Sequence, residues 1–174
     1  FRSMTDLPLL SEPNLQQQLV EIGYQGKKLE ELESLSATEK ANMLFIVQDP
    51  YTSYYDAKVV RDFVALTQKL GFEPILLPFK PNGKAMHIKG FLARFSKTAK
   101  TQAEFLNRIA KLNVPLVGVD PAIVLSYRDE YKEVLGDSRG DFHVLTAHEW
   151  LTNQLESNTL QSAVKNIAKS DRTF

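Results

Sequence analysis

Four short apolar runs alternate with longer amphipathic stretches, and this alternation is the main signal for the fold. The runs have the length of strands and cover residues 43–48, 74–79, 114–119 and 142–145. In the stretches between them, apolar residues recur every three or four positions, the spacing of one helix face. Continuously apolar strands separated by helices are typical of a parallel sheet covered on both faces. The pattern therefore predicts an α/β domain with a Rossmann-like or flavodoxin-like three-layer fold and about four parallel strands.

The same periodicity predicts helices after each strand, over residues 53–70, 91–112, 121–135 and 147–155. Gly71 and Gly136 follow the first and third of these, where glycine commonly ends a helix. Leu15, Leu19 and Ile22 recur at helical spacing before the first strand. We therefore expect three parts: a helical lead-in over 1–42, the α/β domain over 43–155, and a C-terminal helical tail or linker over 156–174.

Composition narrows the possible partners. Lysine plus arginine and aspartate plus glutamate number 21 each, so the formal net charge is zero, and we expect no nucleic-acid partner. No apolar run is long enough to span a membrane, and the start has no signal-peptide pattern, so we expect a cytoplasmic location. The chain begins at Phe1 without an initiator methionine, and we expect a piece of a longer protein. It has no cysteine, which excludes disulfides and thiolate metal sites.

In parallel sheets of this kind, ligands bind beyond the carboxyl ends of the strands. The polar and aromatic residues that the predicted strands deliver there define a possible ligand edge. They are Asp49, Tyr51, Ser53, Lys80, Lys84, His87, Asp120 and Arg128.

Two Asp-Pro pairs, at Asp49 and Asp120, follow predicted strands. Aspartate accepts hydrogen bonds from free N–H groups at a helix start, and proline suits the first helical position. We favour this capping role over the alternative, an acidic pocket for Mg²⁺. Gln48 stands where a second acidic residue beside Asp49 would be expected.

Residues 74–103 contain no acidic residue but carry six lysines or arginines and one histidine. A basic loop at the ligand edge could attract a carboxylate substrate, a flavin phosphate or an acidic partner surface. A solvated lysine-rich face balanced by a nearby acidic helix is the alternative, and we favour it. For Arg128 three partners stay open: a carboxylate of a neighbouring domain, Asp49, or an ordinary surface network with residues four positions away on the same helix.

Tyr51, Tyr54 and Tyr55 form a dense aromatic set that could line a pocket or make an interdomain contact, and we favour the contact. The three histidines lack the spacing of a zinc site, so we predict no metal site. Dinucleotide, P-loop and nucleophile-elbow motifs are absent from the sequence. No catalytic residue can therefore be named.

Two segments carry a resemblance to a known family. One is Asp120-Pro121-Ala122-Ile123 followed by Val124-Leu125-Ser126-Tyr127-Arg128-Asp129-Glu130-Tyr131, and the other is Pro81-Asn82-Gly83 with Gly90 seven residues later. Together they resemble the first half of the cysteine-rich CCG domain. That family has Glu-Pro-Ser-Cys before a run close to Leu-Thr-Leu-Arg-Asp-Glu-Tyr, and Cys-Cys-Gly with a second glycine at the same interval. Its cysteine positions fall on Pro81, Asn82 and Ile123, none of which offers a thiolate for iron.

The family occurs in heterodisulfide reductases, glycolate oxidase iron–sulfur subunits and FAD-linked oxidases fused to ferredoxin-like modules. Residues 44–145 resemble most the last group, D-2-hydroxyacid dehydrogenases of the D-lactate or D-2-hydroxyglutarate type. The resemblance implies a scaffold domain, inactive alone, that binds no cofactor itself. FAD and 4Fe-4S clusters would lie elsewhere in the parent protein, whose flavin and ferredoxin-like modules would be its partners. The parent's substrate would be a small 2-hydroxy acid. An independent small-anion-binding domain or a protein-interaction domain stays open as the alternative.

Overall fold

The computed structural model describes residues 8–157, and its centre is a sheet of four parallel strands. The strands are β1 (Met43–Val47), β2 (Glu73–Leu76), β3 (Leu116–Gly118) and β4 (Val144–Thr146), in the spatial order β2-β1-β3-β4. Phe45 of β1 is in register with Ile75 of β2 and Leu116 of β3, and Leu116 is in register with Val144 of β4. The predicted α/β class with a four-stranded parallel sheet is confirmed.

Ten helices and one 3₁₀ turn surround the sheet within the described residues. They are α1 (Leu15–Glu21), α2 (Leu29–Glu33), α3 (Ala37–Lys40), α4 (Pro50–Tyr54), α5 (Ala57–Lys69), α6 (Lys84–Ile88), α7 (Leu92–Ala110), α8 (Pro121–Arg128), α9 (Glu130–Leu135), the turn Gly136–Arg139 and α10 (Ala147–Glu156). In this part of the chain, no helix combines the length and the apolar character that crossing a membrane requires.

β1 is buried along its whole length, and its side chains alternate between two hydrophobic cores. Met43, Phe45 and Val47 pack with α7, α8 and α9, whereas Leu44 and Ile46 pack with α1, α5 and α10. The chain moves from β1 to β2 in one direction and from β2 to β3 in the other. Right-handed crossovers therefore place α5 and α7 on opposite faces, which produces the three layers.

The lead-in contributes to both cores. Leu15 and Leu19 are buried on the α5 side, and Leu32 is buried on the α7 side. The Tyr24 hydroxyl accepts a hydrogen bond from the Leu76 N–H at 2.8 Å, which covers the outer edge of the edge strand β2. The predicted boundaries at residues 42 and 155 stay predictions. The predicted tail lies outside the described residues from residue 158 onward.

The helix predicted over residues 53–70 is divided into α4 and α5. The break is stabilised by Ser11, whose N–H donates to the Tyr54 carbonyl oxygen at 2.7 Å. The Ser11 hydroxyl oxygen accepts from the Ala57 N–H at 3.0 Å. Because this partner lies far away in sequence, local periodicity could not reveal the break. The predicted helix over 121–135 is likewise divided, at Asp129.

The close packing of the sheet against α8 can be tested by a substitution at Gly118. A Cβ atom at Gly118 would lie 2.4 Å from Cγ2 of the buried Val124. We expect Gly118→Ala to lower the free energy of unfolding by about 1–3 kcal/mol, because the core would be overpacked. Urea unfolding followed by circular dichroism measures this. In a Val124→Ala background the same substitution should lower the free energy of unfolding by much less. An equal decrease in both backgrounds would contradict the packing explanation.

Candidate functional site

The two segments that carry the family resemblance meet at the carboxyl edge of the sheet. The Tyr131 hydroxyl donates a hydrogen bond of 2.6 Å to the Asn82 carbonyl oxygen. The Lys84 ammonium forms an ion pair with the Glu130 carboxylate. One hydrogen bond to the loop after β2 and one ion pair with the first residue of α6 therefore join this region to the start of α9. We call this pair of contacts the loop staple.

The turn at residues 81–83 has a fixed shape. Gly83 has a φ of +80°, and a Cβ atom there would lie 2.9 Å from Cδ2 of Phe95. The Asn82 side-chain oxygen accepts from the Lys84 N–H at 3.0 Å. Asn82 is 4% exposed, and its Nδ2 has no hydrogen-bond partner among the described residues. Glycine is required at 83 by both its backbone conformation and the close contact.

The residues at the resembled cysteine positions do not fit an iron–sulfur cluster. Pro81 has no ligating side-chain atom, and Ile123 is packed in the hydrophobic core on the α7 side. Asn82 offers an amide, and soft thiolates are the ligands that such clusters need. Within residues 8–157, no group of three or more histidine, cysteine, aspartate or glutamate side chains is arranged to hold a metal ion.

Two buried tyrosines lie beneath the loop. The Tyr127 and Tyr131 rings meet edge to face with centroids 5.1 Å apart, and Phe95 contacts Tyr131 in the same way at 5.8 Å. The Gln102 Nε2 donates to the Tyr127 hydroxyl at 3.4 Å. Burial raises the pKa of both hydroxyls far above the ordinary value for tyrosine. Both tyrosines are therefore neutral at physiological pH and act as packing and hydrogen-bonding groups.

Asp49 and Asp120 cap helices, as the sequence predicts. The Asp49 carboxylate accepts from the N–H groups of Tyr51 (2.8 Å) and Thr52 (3.0 Å) at the start of α4. Asp120 accepts from the Ala122 N–H at 2.8 Å at the start of α8. Both carboxylates thus satisfy N–H groups that would otherwise lack partners.

Gln48 ties the ends of two neighbouring strands together. Its Nε2 donates to the Leu77 carbonyl oxygen at 2.7 Å, and its Oε1 accepts from the Ser53 hydroxyl at 3.1 Å. Ser53 is therefore engaged within the chain. Ser53 and Gln48 fix the loops after β1 and β2 relative to each other.

The basic run divides into two groups. Lys84 pairs with Glu130, and His87 Nδ1 lies 4.0 Å from the same carboxylate. Partial burial is the largest single influence on the pKa of Glu130 and raises it, but the hydrogen bonds to this carboxylate and the charge of Lys84 together hold the pKa below its ordinary value. The acidic helix α9 therefore balances this group. Lys80 instead lies over the Phe105 ring, with Nζ 5.2 Å from the centroid.

Arg128 is engaged inside the chain. Its guanidinium forms two hydrogen bonds to the Glu149 carboxylate, at 2.8 and 2.5 Å, and another to the Val144 carbonyl oxygen at 2.8 Å. The considered pairing with Asp49 is wrong. Arg128 instead joins α8 to β4 and the start of α10, because its side chain extends toward β4.

The three tyrosines after β1 lie on the surface. Tyr51, Tyr54 and Tyr55 are 57%, 47% and 41% exposed, and the Tyr54 ring packs edge to face on Phe79 at 5.3 Å. We call these three residues the edge tyrosines. Exposed aromatic rings at the carboxyl edge form a surface that suits contact with another domain.

A pocket of about 360 Å³ lies beside the edge tyrosines, between the loop after β2 and α7. It is lined by Phe79, Lys80, Pro81, Met86, Lys97, Thr98, Thr101 and Gln102. The possible ligand edge expected from the sequence includes Lys80 but none of the α7 residues. The polar residues of α7 were missed because polar positions on an amphipathic helix are expected to face solvent. The sequence signal that did reach Lys97 was the absence of acidic residues over 74–103.

Comparison with known proteins gives a consistent set of relatives. The chain is 82% identical over 171 residues to the D-2-hydroxyglutarate dehydrogenase of Haemophilus influenzae. It is 66% identical over 154 residues to the protein of that name from Escherichia coli K12, and 57% identical over 158 residues to that from Pantoea ananatis.

These matches cover 98%, 88% and 91% of the chain but 17%, 15% and 16% of the relatives. The chain therefore spans about one sixth of the length of the curated relatives it matches. No protein-family model matches the chain. No solved structure matches it either.

The loop staple can be tested with Tyr131→Phe. Losing the hydroxyl leaves the buried Asn82 carbonyl oxygen without its donor, so we expect a loss of about 1–3 kcal/mol in the free energy of unfolding. Amide hydrogen exchange over residues 82–90 should also accelerate. Tyr55→Phe, on the exposed surface, is the matched control and should change stability by less than about 0.5 kcal/mol. Unchanged exchange in the Tyr131 variant would show that the loop does not depend on this contact.

We expect the Arg128–Glu149 pair to make the stability of the fold depend on pH. Hydrogen bonds from Arg128 are the main cause that lowers the pKa of Glu149 to about 2, from an ordinary value of 4.5. The pair therefore stabilises the fold fully above the ordinary pKa, and this contribution is lost as the pH falls from there through about 2. Because the pair is partly exposed, we expect it to contribute about 0.5–1 kcal/mol to the free energy of unfolding.

The measurement is thermal or urea unfolding of the wild type and Glu149→Gln between pH 6 and pH 2, roughly the range over which this carboxyl titrates. The stability difference between the two should shrink as the pH falls. Glu156→Gln, on the exposed end of the same helix, is the control. Parallel pH profiles for the wild type and Glu149→Gln would contradict the assignment.

Proposed function

We propose that the chain is a scaffold domain, without a cluster of its own, of a multidomain FAD- and iron–sulfur-dependent oxidoreductase that acts on D-2-hydroxy acids. The observation that carries this proposal is the 82% identity, across 98% of the chain, to a protein named D-2-hydroxyglutarate dehydrogenase that is about six times longer. Identity of this level across a whole domain supports a shared role in the longer protein. The cytoplasmic location expected from the sequence is part of the proposal.

The scaffold role is supported by the site. The positions of the resembled cysteines hold Pro81, Asn82 and Ile123. The loop staple joins the two segments through the Tyr131 hydroxyl on the Asn82 backbone carbonyl oxygen and through the Lys84–Glu130 ion pair. A cluster that bridged these segments would crosslink them. In this chain we infer that the Tyr131 hydroxyl and the Glu130 carboxylate take the place of that crosslink, which supports a CCG-like scaffold without a cluster.

The surface that would contact the rest of the parent is the carboxyl edge. The edge tyrosines are exposed there, and no described residue covers them fully. Aromatic side chains are enriched in interfaces because they bury large areas at little entropic cost. We infer that the flavin or ferredoxin-like module of the same parent chain packs on this edge.

The activity of the parent is tested on the longer protein purified from its natural sequence. We expect a flavin absorbance spectrum, iron and sulfide bound outside the present chain, and dye reduction with D-2-hydroxyglutarate or D-lactate. A longer protein with no flavin and no turnover on either D-2-hydroxy acid would refute the oxidoreductase assignment.

The contact surface is tested by hydroxyl-radical labelling of the 174-residue chain and of the longer protein. Modification of the edge tyrosines should fall several-fold in the longer protein because a neighbouring module would cover them. Leu66 is the control: it is 41% exposed near the end of α5, at the opposite, amino end of the sheet. Equal labelling of the tyrosines in both proteins would exclude this edge as the contact.

A further inference from the structure

The pocket between the loop after β2 and α7 has no part in the proposed scaffold role. Its apolar wall is made by Phe79, Pro81 and Met86, and α7 supplies the opposite wall. At about 360 Å³ it lies at the small end of the range of ligand-binding pockets, roughly 300–1,000 Å³. The apolar wall and the small volume suit a short hydrocarbon body.

The charged side chains that line this pocket are both positive. Glu104, the acidic residue of α7, lies with Lys80 in a neighbouring surface cavity. Lys80 and Lys97 line it, and neither takes part in an ion pair within residues 8–157. Lys84, by contrast, forms an ion pair with Glu130, and His87 Nδ1 lies 4.0 Å from the same carboxylate. No acidic residue occurs in the segment 74–103, which supplies the entire lining. Two lysines at the rim of a pocket with a low-dielectric wall attract anions.

A buried polar group also lines the pocket. Gln102 is 2% exposed, and its Nε2 is directed to the Tyr127 hydroxyl. Its Oε1 has no hydrogen-bond partner among the described residues. A buried polar atom without a partner is uncommon in folded proteins, and a bound molecule is one way to satisfy it.

From these observations we propose that this pocket is a binding site for a small organic carboxylate. Its carboxylate lies between Lys80 and Lys97, and its short apolar body packs on Phe79, Pro81 and Met86. A hydroxyl or N–H group on the ligand is the kind of partner that the unpaired Gln102 Oε1 could accept from, since an amide oxygen is an acceptor. The proposal goes beyond the scaffold role and does not rest on it, because the site lies entirely within the described part of this chain.

The test is a titration of the 174-residue chain with isovalerate, followed by ¹H–¹⁵N NMR at constant ionic strength. We expect saturable shifts at the amides of residues 79–81 and 97–102, with a dissociation constant on the order of 1 mM, since the ligand is small. Isovaleramide, which has nearly the same shape without the charge, should bind at least tenfold more weakly. Inorganic phosphate should not saturate these shifts, because it cannot use the apolar wall.

Two variants and a matched control assign the contacts. Lys97→Gln and Lys80→Gln should each weaken isovalerate binding roughly fivefold, about 1 kcal/mol for a partly exposed charge. Lys100→Gln removes the same charge from the exposed face of α7 outside the pocket lining and should leave binding unchanged. Lys97 and Lys100 are exposed and Lys80 is half-buried. The spectra of the free variants report directly whether the fold is retained.

Four results would overturn the proposal. The first is a linear, non-saturating response to isovalerate, and the second is equal binding of isovalerate and isovaleramide. The third is an equal loss of binding in the Lys97 and Lys100 variants, which would indicate general attraction of anions to a basic face. Equal shifts with phosphate at the same residues would likewise reduce the site to an adventitious anion position.

Discussion

The burial of β1 on both faces is the constraint on which the rest of the structure depends. A strand whose five side chains are all buried needs a core on each side, and odd and even positions must match different helices. Phe45 faces α7 and α8, whereas Leu44 and Ile46 face α5, α10 and the lead-in. The lead-in is therefore part of the packing, because Leu15 and Leu19 complete the second core.

This arrangement also determines where chemistry can occur. With β2 on one side of β1 and β3 on the other, the loops that follow these strands converge at one edge. The loop after β2 is shaped by Gly83 and held by Tyr131 and Glu130. Hydrogen bonding, ion pairing and aromatic packing hold this loop against the start of α9.

The same edge presents two different surfaces. On one side the edge tyrosines offer exposed aromatic area for another module, and on the other the pocket beside α7 carries two unpaired lysines. The balance of charge explains the difference between neighbouring lysines: Glu130 neutralises Lys84, while no described carboxylate pairs with Lys80. Lysines that are close in sequence therefore have different environments: Lys84 forms a structural ion pair, and Lys80 lies at the rim of the pocket.

Local patterns in the sequence determined the fold class, the four strands and the two aspartate caps. Each of these depends on neighbouring residues, such as Asp49 beside Pro50 or the alternation of apolar runs with amphipathic helices. Tertiary structure decided the break between α4 and α5 that Ser11 stabilises, the pairing of Arg128 with Glu149 and the different environments of Lys84 and Lys80. Their partners lie up to 46 residues away, so no local period encodes them. The lining of the pocket by α7 was decided in the same way, because polar positions on a helix reveal their neighbours only after the helix has packed.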